Sequence, residues 1–362
     1  MSVMIWLFGL LFATVVMVAI GDRVGLPWPV LLTIVTAGVI FIPGVPSAGS
    51  LSQFSHLMLP IFIPPLLWAL ARRASWAQVR RQWRSIIMLS VLLVIATAVA
   101  VGLTVSWLVP TLSVAGAMMI GAAISPPDPV AVDAVAEPAG VPRRLMNTLQ
   151  TEGMFNDAAS ILVFNLALGV LTQGETVKWW EAIWEFGYSS GAAVLIGWFI
   201  GRGAAFLSSW MTSGTARNAF TWVIPFITYL VAEEIHASGV IAVVIAAIEY
   251  NSRVAIGAED RLSGTVFWEI VELLFTGVAF GLIGIMARDA IFTVGSDWGE
   301  AVMLGVVLSA VAIVVRGLWF LGMYATNKYT RYRVGGPLRL QETLLLTWAG
   351  MRGLVTLALI LS

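Results

Sequence analysis

Between short polar loops the chain is a succession of apolar runs, each near the length of one membrane crossing, and that succession narrows the fold more than any motif does. Hydrocarbon about 30 Å thick takes roughly 20 apolar residues per helix. Inside it a helix satisfies its own backbone donors and acceptors. Twelve such spans can be marked, at about 3–21, 27–43, 54–71, 85–109, 113–137, 147–172, 187–209, 218–235, 237–250, 265–287, 300–324 and 341–362. No soluble core absorbs the apolar surface of a chain that is 59% hydrophobic and 11% charged over 362 residues. The expectation is one all-α polytopic membrane domain over 1–362. A second count stays open, because eleven spans result if His236-Ala237-Ser238-Gly239 lies inside one helix rather than between two.

The composition also removes function classes. With no cysteine and two histidines, His56 and His236, disulfides, thiolate metal sites, CxxCH haem attachment and imidazole clusters are excluded. A formal net charge of zero suggests no nucleic-acid partner, and nothing in the sequence calls for a cofactor.

Basic residues distribute unevenly between the two sets of loops. If the loop with Arg72, Arg73, Arg80, Arg81 and Arg84 is cytoplasmic, alternate loops place sixteen Lys and Arg inside and two, Lys178 and Arg288, outside. The positive-inside rule then sets the N-terminus outside.

Two spans are interrupted. The fifth contains Ser125-Pro126-Pro127-Asp128-Pro129, where prolines remove backbone donors and break the hydrogen-bond ladder. The twelfth contains Gly350-Met351-Arg352-Gly353, where glycines flanking a mid-membrane arginine permit an unwound crossing. Paired interruptions in two halves mark inverted-repeat secondary transporters, with the site where the breaks meet. If spans one to six repeat around a linking seventh, a thirteenth should follow the twelfth. The apolar run that ends at Ser362 therefore reads as a truncation.

The sixth span carries Thr151-Glu152-Gly153-Met154-Phe155-Asn156-Asp157, two carboxylates and an amide at membrane depth. Ionisable groups there are costly, face a cavity or a partner, and mark ion or proton paths. Taking a carboxylate out of water favours its neutralised form, so a proton and a small cation compete for it. Asp128, directly before Pro129, also suits the N-cap of a half-helix; contact with an ion and a capping role both remain open. The Pro127 carbonyl, freed by the break, offers an oxygen to a hard cation.

Pro127-Asp128-Pro129-Val130-Ala131-Val132, Glu152 with Asn156-Asp157, and Trp348-Ala349-Gly350-Met351-Arg352-Gly353 resemble the sodium/proton exchanger family of the cation:proton antiporters. Leu26-Pro27-Trp28-Pro29, Pro64-Pro65, His236-Ala237-Ser238-Gly239-Val240 and Phe267-Trp268-Glu269 follow in the family's order, so the resemblance covers essentially the whole chain. It implies an inverted-repeat antiporter fold with about 12 of 13 helices present and two broken helices crossing near 125–129 and 350–353. Core helices, about 85–172 and part of 265–362, would move against dimer helices, about 1–71 and 187–250. The implied activity is exchange of Na⁺ for H⁺ across the cell membrane by a homodimer, electroneutral and serving pH homeostasis.

The same resemblance makes Asp157 the ion-carrying carboxylate with Asp128 near it, and casts Glu152, Asn156 and Arg352 as a supporting ion pair and scaffold. Two positions depart from the family. Gly153 stands where a serine is common, and Ala69 where many relatives have an acid; with two oxygens fewer, K⁺ or a broader cation range is the alternative to Na⁺. A membrane-embedded aspartyl hydrolase is the rival from another class, but neither Asp128 nor Asp157 has a GxGD context.

Overall fold

The computed structural model describes residues 2–38, 55–128, 132, 141–173, 179–254, 258–295, 298–329 and 336–350. These residues form helices joined by short turns, with no strand among them. In chain order they are α1 (Ser2–Val24), α2 (Trp28–Gly38), α3 (Ser55–Ala71), α4 (Trp76–Leu108), α5 (Val114–Ile124), α6 (Arg143–Gly153), α7 (Asn156–Gln173), α8 (Trp179–Ser209), α9 (Gly214–Glu234), α10 (Gly239–Arg253), α11 (Ala258–Val294), α12 (Trp298–Tyr329) and α13 (Leu340–Trp348).

Local chemistry explains the boundaries. Ser75, Ser113, Ser213 and Ser238 each cap a helix by accepting a backbone N–H from its first turn. Between α9 and α10 the chain turns at His236, whose φ of 57° is left-handed. Ala237 donates to the Ala232 carbonyl at 2.9 Å and His236 to that of Glu233 at 3.0 Å, the pairing of a Schellman stop with histidine where glycine is usual. Two helices therefore flank this turn, which settles the choice between twelve spans and eleven in favour of twelve. Within α4, a π-helical stretch at Ile87–Leu92 separates a basic, amphipathic start from an apolar continuation.

The helices pack into two groups. In one, α10 is nearly surrounded by α3, α8 and α9, while α11 packs on α1, α2 and α3. Trp68, Trp222 and Trp268 pack together at its centre, with Trp68 to Trp268 at 6.2 Å and Trp222 to Trp268 at 6.1 Å between ring centroids. In the other group α4 packs on α5, α7 and α12, and α12 on α13. Close approach in both depends on glycine. A Cβ on Gly197 or Gly201 of α8 would meet the backbone of Ala242 or Ala246 on α10, and one on Gly277 would collide with Thr14 of α1. These GxxxG pairs are internal contacts.

Candidate functional site

The site lies in the second group, where α5 ends against the junction of α6 and α7. Helix α5 stops at Ile124, and Ser125 turns its hydroxyl back to the Ala122 carbonyl at 2.8 Å. Ser125, Pro126 and Pro127 are buried, Asp128 half-buried. Residues 129–131 and 133–140 lie outside the described residues. So does everything from 351 onward, including Arg352 and the second half of the twelfth span.

Sequence periodicity treats 151–157 as continuous helix, with Glu152 and Asn156 on one face; the structure interrupts it at Met154 and Phe155. The Glu152 carbonyl accepts from the Phe155 N–H at 3.3 Å and from the Ser90 hydroxyl at 2.8 Å, a tight turn that ends α6. Helix α7 restarts at Asn156, with Asp157 in its first turn. The turn separates Glu152, near the end of α6, from Asn156 and Asp157 at the start of α7. The two polar groups serve different neighbours.

Asn156, fully buried, donates its Nδ2 to the Pro127 carbonyl at 2.7 Å. One turn further along α7, Ser160 donates to the Ala122 carbonyl at 2.8 Å. Both carbonyls belong to the end of α5, where the break leaves acceptors without helical donors. The Pro127 oxygen is thus already engaged on one side. Asn156 Oδ1 has no partner among the described residues.

Asp157 is 5% exposed, and its carboxylate makes no hydrogen bond or ion pair among the described residues. It does have two electrostatic neighbours. The N-terminus of α7 presents partial positive charge to it, and Asp128 is close enough to act on it as a like charge.

Glu152 is neutralised completely. Both carboxylate oxygens meet Arg316 of α12, at 2.5 and 2.9 Å, with the side chains 1% and 3% exposed. Arg316 Nε donates to the Leu346 carbonyl of α13 at 2.9 Å, and its guanidinium lies 4.9 Å from the Phe320 ring centre. The sequence pairing assigned Glu152 to Arg352; the described structure meets it with Arg316. A Cβ at Gly350 would approach Arg316 Cδ to 2.6 Å, so that glycine makes room for the pair as well as for a break. Arg316 was legible as the one arginine inside the apolar span 300–324, because a charge at that depth demands a partner. Sequence spacing does not say which one.

The departures from the family pattern sit in different surroundings. Ala69 is 1% exposed within the apolar core that α3 shares with α10, and Gly153 is buried at the α6 terminus. Glu272 of α11 pairs with Arg73 at 2.6 Å, and Thr276, one turn on, is buried with its hydroxyl unpartnered among the described residues.

Comparison with known proteins follows the same outline. Solved structures of a sodium proton antiporter from Methanocaldococcus jannaschii superpose with TM-scores of 0.74 and 0.76 at 15% and 18% identity, covering all of this chain and 86% and 85% of theirs. A Na⁺/H⁺ antiporter of Aphanothece halophytica is 28% identical over 93% of this chain and 63% of its own length. A sodium, potassium, lithium and rubidium/H⁺ antiporter of Bacillus pumilus is 28% identical over 91% of this chain. The chain thus spans 63% and 51% of the lengths of these two relatives. At the family level, residues 10–362 match the transmembrane sodium/hydrogen exchangers. With that match running nearly end to end over an antiporter fold of broken helices, the chain belongs to the sodium/hydrogen exchanger family of multi-pass membrane proteins.

Proposed function

We propose that the protein is a secondary antiporter, not an enzyme, which exchanges a monovalent cation, Na⁺ first, for H⁺ by alternating access. One observation carries this reading: of the two buried carboxylates at the α6–α7 junction, Glu152 is matched by Arg316 while Asp157 has no ion pair among the described residues. An unmatched carboxylate out of water takes up either a proton or a metal cation and releases one to bind the other. Asp157 is the exchanging group, and Asp128 adds negative potential that draws cations to it. Pro127 offers the second lone pair of its carbonyl, and Asn156 holds that carbonyl in place. Glu152 and Arg316 fix α6 to α12 without contributing net charge. One carboxylate taking one H⁺ or one Na⁺ makes the exchange electroneutral.

The moving unit in this reading is the group containing α4–α7, α12 and α13, carried against α1–α3 and α8–α11. A homodimer through the second group, the N-terminus outside, and a plasma-membrane location serving pH homeostasis complete the proposal. Na⁺, or K⁺, and H⁺ are cargo, and no resident cofactor is assigned. A broader cation range is the second reading. It is favoured by the apolar setting of Ala69 and the bare Gly153, which leave few oxygens to enforce Na⁺ geometry, and by the Bacillus relative named for four alkali cations.

The test is cation-driven pH change in proteoliposomes, with Na⁺, K⁺ and Li⁺ in turn. Exchange should vanish in Asp157→Asn and should not respond to an imposed membrane potential. Undiminished exchange in that variant would sink the assignment of Asp157, and potential dependence would sink the one-for-one stoichiometry.

A further inference from the structure

At the end of the bundle where Arg72, Arg73, Arg217 and Arg261 gather, the tips of α3, α9, α10 and α11 enclose a cavity of about 560 Å³. None of its lining residues belongs to the α5–α7 site. Among the described residues, four arginines line it against one carboxylate, Asp260, over a wall that includes Trp68, Trp268 and Tyr250.

Among the described lining side chains the charges do not balance. Arg217 is matched by Asp260 at 2.5 Å and donates to the Met211 carbonyl at 2.6 Å, yet its Nε is buried with no partner among the described residues. Arg73 is matched by Glu272 at 2.6 Å. The Arg72 guanidinium has a single hydrogen bond among the described residues, a long one of 3.3 Å to the Thr265 hydroxyl. Arg261 contributes a side chain with no ion pair there and an exposed position. Burial first, and then the neighbouring charge of Arg73, disfavour the charged form of Arg72, more than Glu272 and Glu269 favour it. A cavity in that state repels cations and gains from an anion.

We propose that this cavity is a binding site for a phosphate group, taken from a phospholipid headgroup or from a soluble phosphate. Guanidinium forks match phosphate oxygens two at a time, and Arg72 and Arg261 have forks to offer, with the Arg217 Nε behind them. Basic pockets between helix ends lie at headgroup depth, where aromatic walls accept the glycerol and upper acyl carbons of a lipid. Because α3, α9, α10 and α11 all converge there, a bound anion touches the ends of several helices at once.

The experiment is thermal unfolding of the full chain in a neutral detergent, titrated separately with dihexanoyl phosphatidic acid, dihexanoyl phosphatidylcholine and inorganic phosphate. A saturable rise in Tm with phosphatidic acid and none with phosphatidylcholine is expected. If inorganic phosphate produces the same rise at the same concentration, the soluble anion is the source; if it needs at least tenfold more, the lipid is. The double variant R72Q/R261Q should weaken apparent affinity about a hundredfold, roughly tenfold for each charged hydrogen-bonding group removed. The variant R80Q/R81Q, altered at exposed positions outside the cavity, should bind as the parent does. Should the double variant fold poorly, Arg261→Gln alone reads the same loss at about tenfold. A flat Tm with both phosphatidic acid and phosphate, or unaltered affinity in the Arg261 variant, overturns the proposal. Because the readout is binding, that failure leaves the exchange reading untouched.

Discussion

Replacing Glu152 by Gln keeps the shape of the side chain but leaves the Arg316 guanidinium, 3% exposed, with no carboxylate opposite it. Breaking one side of a buried ion pair costs about 3–5 kcal/mol, because the remaining charge stays out of water uncompensated. Arg316→Met should cost a similar amount by stranding Glu152, 1% exposed. The double variant removes both charges and leaves only a buried amide without a partner and the lost Nε bond to the Leu346 carbonyl, together about 2–5 kcal/mol. The two single costs, about 6–10 kcal/mol together, therefore should not add, and the coupling should reach about 4 kcal/mol, roughly a thousandfold in the folding equilibrium. Reversible unfolding in mixed micelles titrated with SDS measures all four corners of the cycle. The pair is shielded from solvent, so the coupling should change little between low and high salt, unlike that of Arg144–Glu342, whose side chains are 45% and 21% exposed. Additivity of the single variants within about 0.5 kcal/mol would refute the assignment of Arg316 as the partner of Glu152.

Asn156→Ala removes the donor to the Pro127 carbonyl and should cost about 1–3 kcal/mol in the same titration, with slowed exchange; an unchanged midpoint would show that the bond does not hold the broken helix. Gly121→Ala should destabilise more than Gly102→Ala, since a Cβ at Gly121 meets the backbone of Ala98 and Gly102, whereas at Gly102 the nearest atom is the flexible Met118 Sδ at 2.7 Å. The reverse order in thermal melts would contradict the fixed α4–α5 contact. Trp76→Phe loses the 2.8 Å bond from Nε1 to Glu249, leaving that carboxylate to Arg253, and should cost about 1–3 kcal/mol; a loss below about 0.3 kcal/mol would show that Trp76 does not secure α4 to α10.

Much of the molecule was legible in the chain because membrane insertion depends on one-dimensional properties. Span length and apolarity placed the helices, serine caps and prolines placed their ends, and the cost of charge at depth singled out Asp128, Glu152, Asn156 and Asp157. What periodicity could not carry was the relation between residues on either side of a break. Around the turn at Met154 and Phe155, Glu152 and Asn156, four apart in sequence, meet different partners, Arg316 and the Pro127 carbonyl. The pairing of Glu152 with Arg316, and the gathering of Arg72, Arg73, Arg217 and Arg261 around one cavity, depend on which helices pack together. Apolar spans of similar length are nearly interchangeable in their affinity for lipid, so the sequence by itself determined that they cross. Only tertiary packing, through glycine contacts and buried polar pairs, decided which of them meet.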